Sequence, residues 1–457
     1  MGNLYAKPYH EFNINQKLSL QDFKLLGNQE ARVDQVQLHG YSKTKDLILE
    51  SSINLMFTSN SLKNIINNAE IVRKNLMSLN CFENISVNID VSSGSNSTPN
   101  GYKVTFNVQE LTFASSILHS VARDNEGIVK LGFKLNNITG HANHFKIESS
   151  IGNGGTQKYD ACISKHIPGS ISSCISGHIF KKKSYWNTVH GVFDEWGTLF
   201  DLLFLSPYKS HFSQNLQYEG VIRDINMLSK ESPFKLREES GFSVKSSIKH
   251  ITTIDTRDSK VLANEGLFFQ MVMEVAGFGG DVKFLRNYFT SQFYSKITKD
   301  VVFQGSFGGG VLTDLGTFKN VNMMDRFFLG GPMTLRGFQS RGIGNLNENV
   351  VAGVTSYWVS AVHIYVKPLF GMESNRINEA IRLHLFCNAG NISFFGKDTK
   401  SSLERTFKDF RLSTGFGVVA RIGNSIRFEF NLCSPLQYSA GDRIVDGFQF
   451  GVGANFI

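Results

Sequence analysis

The chain has 457 residues, of which 41% are apolar and 19% charged, a balance that excludes a disordered polyelectrolyte. Forty-two glycines and 39 phenylalanines against 8 prolines favour a β-protein rich in turns and argue against a helical bundle. The first 112 residues hold ten basic and ten acidic side chains, so all of the formal +8 lies beyond them. The longest basic run there, Lys181-Lys182-Lys183, reads as a solvated loop and not as a nucleic-acid surface.

Residues 1–29 read as a tail. They contain no apolar secretory core, and Glu11 and Asp22 precede the first arginine, Arg32, unlike a cleavable mitochondrial presequence. Residues 30–111 read as a small α/β module. Val33 and then, after a slip, Val36 and Leu38 alternate as a strand that ends at His39-Gly40. Thr44–Phe57 carries Leu47, Ile48 and Leu55 at helical spacing. A second helix starts near Asn60 or Ser61, with one apolar stripe of Leu62, Ile65, Ile66, Ala69, Val72, Leu76 and Leu79. Ile85–Val91 and Tyr102–Val108 alternate as two strands around a Ser/Asn/Gly/Pro turn, so the order is β-α-α-β-β.

From residue 112 onwards the pattern becomes alternating segments of about ten residues, long enough to cross hydrocarbon at a tilt. Leu267, Phe269, Met271, Met273 and Val275 oppose Phe268, Gln270 and Glu274, and Ile426, Phe428, Phe430 and Leu432 oppose Arg427, Glu429 and Asn431. Alternation alone also fits a soluble sandwich. Its repetition over about 345 residues with no helical segment favours a closed antiparallel membrane barrel of about 16 strands, the first near 113–122 and the last near 448–457. Asn349–Val366 lacks Asp, Glu, Lys and Arg, but its Val, Tyr, Trp and Ile content reads as a strand and not as a spanning helix.

Signatures of chemistry fail on spacing. Gly390–Asp398 only imitates a phosphate loop, since Asp398 stands where Ser or Thr should follow Lys397. Gly415-Phe-Gly-Val-Val-Ala420 lies inside an alternating strand. The five cysteines, Cys81, Cys162, Cys174, Cys387 and Cys433, never form CxxC, and His141 with His144 makes a poor zinc site. No enzyme activity, cofactor or metal is expected.

One segment stands apart: Asp325-Arg-Phe-Phe-Leu-Gly-Gly-Pro-Met-Thr-Leu-Arg-Gly-Phe-Gln-Ser-Arg-Gly342. Arg336 between apolar Leu335 and Gly337-Phe338 needs a carboxylate or a row of acceptors if it folds into a polar lumen. Gly330, Gly331, Pro332, Leu335, Arg336, Gly337 and Phe338 resemble the loop-6 signature of the outer-membrane-protein-85 superfamily. The module at 30–111 resembles that family's polypeptide-transport-associated (POTRA) domain, and Gln449–Ile457 resembles a β-signal. A single module and no secretory signal make the chain most similar to the mitochondrial branch, the core barrel of the sorting and assembly machinery.

That resemblance implies a 16-stranded barrel at 112–457, with loop 6 folded inward near 320–350. It also implies a location in the mitochondrial outer membrane, with the N-terminal module facing the intermembrane space. The implied partners are β-barrel precursors, metaxin-type accessory subunits, intermembrane-space chaperones and the lipid bilayer, with no nucleic acid. Bacterial relatives place an acid at the position of Asn388. An amide cannot neutralise Arg336, so that role passes to Glu429, and Arg336→Ala would leave Glu429 an orphaned buried charge. The implied activity is insertion of precursors by strand exchange at a lateral gate. Ser116, Leu118 and Ser120 would form the first strand of that gate, and Gln449, Gly451, Gly453 and Phe456 the last. A passive diffusion pore or a protein-translocation channel is the alternative reading.

Overall fold

A computed structural model of the protein describes residues 30–457 except 94–96, 124–125, 153, 168–172, 187–190, 206–210, 228–233, 317–320, 345–352, 369–379, 395–403, 405–406, 423–425 and 454–456. The N-terminal part runs β1 (Arg32–His39), α1 (Asp46–Ile53), α2 (Leu62–Ser78), β2 (Phe82–Val91) and β3 (Gly101–Glu110). The single helix expected over Thr44–Phe57 is instead α1 followed by a tighter 3-10 turn at Asn54–Thr58. Ser61 caps α2 by accepting the Asn64 N–H at 3.3 Å.

The three strands form one sheet in the order β1-β3-β2, with β1 parallel and β2 antiparallel to β3. The slip seen in the β1 alternation is a register shift between Val33 and Gln35. It leaves Asp34 free to accept the Thr98 N–H at 2.9 Å and the Thr98 hydroxyl at 2.7 Å. The α2 stripe (Leu62, Ile65, Ala69, Val72, Leu76) joins Val33, Ile48, Met56, Val87, Val104 and Phe106 in one buried core. Each of the larger aliphatic or aromatic members contributes about 1.5–3 kcal/mol by leaving water.

Glu110, at the end of β3, holds the β1–α1 connection. Its carboxylate accepts the N–H groups of Ser42, Lys43 and Thr44 and the hydroxyls of Ser42 and Thr44, the last at 2.6 Å. Partial burial pushes the Glu110 carboxyl up, but these donors outweigh it and hold the group down at about 2, below its ordinary 4.5. A carboxylate with a depressed folded-state value stabilises the fold above about pH 4.5 and loses that contribution as pH falls toward about 2. Glu110→Gln is expected to cost about 1–3 kcal/mol at neutral pH and to flatten the acid dependence in that window. Melting curves of the full chain across the window check both effects.

The remaining strands are β4 (Ala114–Arg123), β5 (Glu126–Leu135), β6 (Asn143–Gly152), β7 (Gln157–His166), β8 (Cys174–Trp186) and β9 (Gly191–Leu205). They continue with β10 (Phe212–Met227), β11 (Gly241–Asp255), β12 (Gly266–Ala276), β13 (Phe284–Lys296) and β14 (Val301–Asp314). The last five are β15 (Ser356–Val366), β16 (Ile381–Ser393), β17 (Arg411–Ile422), β18 (Ile426–Gln437) and β19 (Gly447–Gly453). They make one 16-stranded sheet in sequence order, and the ladders from β9 to β19 are all antiparallel. The expectation of no helix beyond residue 112 is corrected by α3 (Phe234–Glu238), one short turn of helix between β10 and β11 where a loop can carry it.

Burial decides between sandwich and membrane barrel. Leu267, Met271, Met273 and Val275 on β12 are exposed, as are Leu383 and Leu385 on β16 and Phe430 on β18. Glu274, Arg382, Arg427, Glu429 and Asn431 on the opposite faces are buried. A soluble sandwich does the reverse. An apolar exterior around a polar interior suits lipid outside and a polar lumen inside. Among the described residues no helix is long and apolar enough to cross a membrane, and Ser356–Val366 is a strand.

Grouped by contacts, the chain divides into two units. One holds the residues up to Ser115 with Lys134–Phe145 and Ile163–Ile175, and the other holds Ser116–Phe133, Lys146–Cys162 and Ser176–Ile457. Within the first, the Lys45 N–H donates to Gly140 O at 3.0 Å and the Asn137 amide to the Thr44 hydroxyl at 2.9 Å. His144 Nε2 lies 3.0 Å from Leu79 O. No group of three His, Cys, Asp or Glu that could hold a metal ion occurs among the described residues.

Candidate functional site: loop 6 and the last hairpin

Loop 6, the segment between β14 and β15, turns back on itself through glycines. Gly330 and Gly331 both have left-handed φ, and the Gly331 N–H donates to Leu335 O at 3.1 Å. Leu329, Leu335, Phe338 and Ile343 then pack on Val359 of β15 as a buried apolar knot. This knot sets Arg336, fully buried, against β18. Its Nε and Nη2 donate to the two Glu429 oxygens at 2.9 and 3.1 Å, a bidentate pair. Nη1 donates to Ile457 O at 2.7 Å and stands 3.5 Å from His363 Nε2. The guanidinium also lies 5.4 Å from the Phe386 ring centre.

Asn388 does not meet the guanidinium; its amide donates to the Arg336 main-chain oxygen at 3.2 Å. Gly337 is required twice over. Its φ is +81°, and an added Cβ would stand 2.4 Å from Ser413 Oγ. Gly330 is equally confined, with Gln339 O 2.6 Å from where a Cβ would be.

Glu429 has more partners than the sequence suggests. Arg427 on the same face of β18 also binds its carboxylate, and Asn431 donates to it at 2.9 Å. Arg427 reaches on to the Tyr365 hydroxyl at 2.7 Å, and His384 Nε2 lies 2.7 Å from Asn431 Oδ1. Removing Arg336 therefore does not orphan Glu429, which corrects that expectation: a cation and an amide remain. The signal for Arg427 and Asn431 was present in the parity of β18, which puts residues 427, 429 and 431 on one face.

The last strand is tied to loop 6 as well as to β18. The Gln449 amide donates to Phe338 O at 2.7 Å, and its oxygen accepts the Gly337 N–H at 3.2 Å. Residues 443–445, between β18 and β19, pair with loop 6: Gln339 N–H to Arg443 O at 2.9 Å, Arg443 N–H to Gly342 O at 2.7 Å and Val445 N–H to Gly337 O at 2.8 Å. Asp442 accepts the Gly344 N–H at 2.8 Å and pairs with Arg411 at 2.8 Å. Gly451 and Gly453 face Glu429 and Arg427 in the β18–β19 ladder. Phe456 lies outside the described residues. On β4, Ser116 is exposed, and the side chains of Leu118 and Ser120 lie outside the described residues.

The other end of loop 6 has a second anchor that the sequence did not disclose. Asp325, 1% exposed, takes Arg223 of β10 in a bidentate pair at 2.7 and 2.9 Å, and Lys245 of β11 lies 3.5 Å away. Arg286 of β13 donates to Asp325 O at 3.0 Å and pairs with Glu274 of β12. Glu239 caps the same turn by accepting the Met323 N–H at 2.8 Å and pairing with Arg326. Loop 6 is thus a tie between the β10–β13 wall and the β18–β19 hairpin.

A second segment spans the interior. The β11–β12 connection buries Val261 and Leu262 against Val302, Tyr365 and Val419. Arg382 of β16 donates to Ala263 O at 2.8 Å and Leu262 O at 3.0 Å. A turn between β11 and β12 reaches inward-facing residues of β16 and β17 only by crossing the lumen.

The family model described as the Omp85 superfamily domain matches residues 49–456. The chain is 34% identical over 439 residues to the sorting and assembly machinery component 50 homolog of Homo sapiens, covering 95% of this chain and 92% of that protein. It is 26% identical to a SAM50-like protein of Drosophila melanogaster, over 93% of this chain and 95% of the relative. The crystal structure of BamA from Haemophilus ducreyi lacking POTRA domains 1–3 superposes with a TM-score of 0.73 at 14% identity, over 92% of this chain and 84% of that one, which shows the fold. An inward-folded loop 6 on a 16-stranded barrel, and a family match over most of its length, make this chain a member of the Omp85 superfamily.

Proposed function

We propose that the protein is the core insertase of the sorting and assembly machinery in the mitochondrial outer membrane, folding β-barrel precursors at a gate between β4 and β19. The observation that carries this reading is the 34% identity to sorting and assembly machinery homologs across 95% of the chain. Two segments that cross the lumen, loop 6 and the β11–β12 turn, favour it over a passive pore, since both occupy the path that a diffusing solute would use. Translocation of whole chains through the same lumen meets the same obstruction.

Opening a barrel in lipid exposes backbone donors and acceptors, each at a cost of several kcal/mol, unless another strand replaces the lost partner. A precursor's β-signal supplies that strand by augmentation, so exchange needs no nucleotide. The ties from loop 6 to Gln449 and to residues 443–445 hold β19 in place, so the movement falls to β4 and its neighbours. Gly451 and Gly453 weaken β19's own packing on its exchange partner. The N-terminal module faces the intermembrane space in this reading, where precursors and their chaperones arrive, and metaxin-type subunits complete the complex.

The test is cysteine crosslinking of Ser116→Cys on β4 to the last strand of a stalled precursor. A crosslink is expected with an intact β-signal and is lost when that signal is altered. Failure to crosslink while precursors still insert rules out exchange at this seam.

A further inference from the structure

A separate cluster of reactive side chains lies on the inner face of the wall. On β7, Tyr159 and Ile163 are exposed, so Asp160 and Cys162 share the opposite face. On β8, exposed Ile175 and Ile179 put His178 on that face too. His178 Nε2 lies 3.5 Å from Cys162 Sγ, and its Nδ1 lies 3.1 Å from Asp160 Oδ1. The charged and polar groups around them are Lys158 at 3.0 Å from Asp160, Ser176 at 3.3 Å from His178 Nε2, and Asp201 of β9 at 3.4 Å from Ser176. On β6, Lys146 and Glu148 pair with each other at 2.7 Å.

This setting differs from that of a packing cysteine. Cys81 sits in the apolar core of the N-terminal module, and burial pushes its thiol up to about 12. Cys162 instead has an imidazole within reach, and that imidazole is oriented by a carboxylate, the nucleophile–base–orienter arrangement of covalent chemistry. None of the three residues takes part in the loop-6 network. Acyl transfer would further require donors for an oxyanion. Thiol–disulfide exchange requires only a base, a nucleophilic sulfur and access.

We propose that Cys162 is a modification site for small soluble disulfides of the glutathione disulfide class, with His178 as its proton acceptor and Asp160 as a positioning residue. The Cys162 proton passes to His178 Nε2, and the sulfur attacks one sulfur of the disulfide. The new S–S bond forms on Cys162 as the old one breaks, and the departing thiolate takes the proton back from His178. Cys162 is oxidised and the small disulfide reduced, with no other reagent. The chemistry rests on the barrel wall alone and stands apart from the insertase reading.

The full chain in lipid vesicles, treated with glutathione disulfide and mapped by mass spectrometry, tests it. Cys162, though buried, is expected to react about tenfold faster than the more exposed Cys174. His178→Ala slows the reaction about tenfold or more, and free imidazole restores it. Asp160→Asn slows it less and is not rescued by imidazole, while Asp160→Glu recovers most of the rate. Reactivity that follows exposure, with Cys174 ahead of Cys162 in the native chain, overturns the proposal even if a variant fails to fold. So does a folded His178→Ala chain that reacts at the native rate, or one that imidazole fails to rescue.

Discussion

Glu429→Ala is expected to destabilise the barrel by about 3–5 kcal/mol, the cost of leaving a buried charge without its partner. Arg336→Ala is expected to cost less, about 1–3 kcal/mol. The asymmetry follows from the wiring. Glu429 is the shared acceptor of Arg336 and Arg427, both buried, so removing it sets two guanidinium groups side by side with no carboxylate between them. Removing Arg336 leaves Glu429 with Arg427 and Asn431. Function should not follow that ranking, since either substitution breaks the Arg336–Glu429 pair. Arg336 is the link between loop 6 and β18, so Arg336→Ala unseats the loop at modest cost in stability and is expected to stall precursor insertion. Melting in detergent and a precursor-assembly assay, run on both variants, separate the two effects. Equal melting points would mean that Arg427 does not depend on Glu429, and normal insertion by Arg336→Ala would remove loop 6 from the mechanism.

Much of this site could be read from residue parity. Alternation in β18 turns Glu429 inward, and the apolar bracket around Arg336 marks a cation that must find a partner inside. The β1 slip at Asp34 was visible as a break in period two. The second anchor was not visible, because Asp325-Arg326 looks like any solvated pair, and Arg223 lies 102 residues away on a strand whose distance across a lumen no local pattern encodes. The β11–β12 turn had a clue that local polarity obscured. Val261-Leu262-Ala263 is an apolar triplet in an otherwise polar turn, and it is buried. Chords across a barrel depend on closure, which is a property of all 16 strands together.

Asp325→Asn is expected to cost about 3 kcal/mol and to impair insertion as Arg336→Ala does. The estimate sits at the low end because the cations keep other partners: Lys245 retains Glu219 and Glu274, and Arg223 retains Glu195 at 3.9 Å. Stability and tethering separate in the double variant Asp325→Asn with Arg223→Met. Removing both members of a buried pair discards the uncompensated charge, so melting should return most of the way to native. Loop 6 nevertheless remains unmoored from β10. If the loop works as a tie between two walls, insertion stays impaired in this restored barrel, because the end left with only the Arg286 and Glu239 contacts transmits less tension to the other. Native rates of insertion by the double variant would reduce Asp325 to a stabilising contact and leave the mechanical role to the end of loop 6 tied by Arg336, Gln449 and residues 443–445.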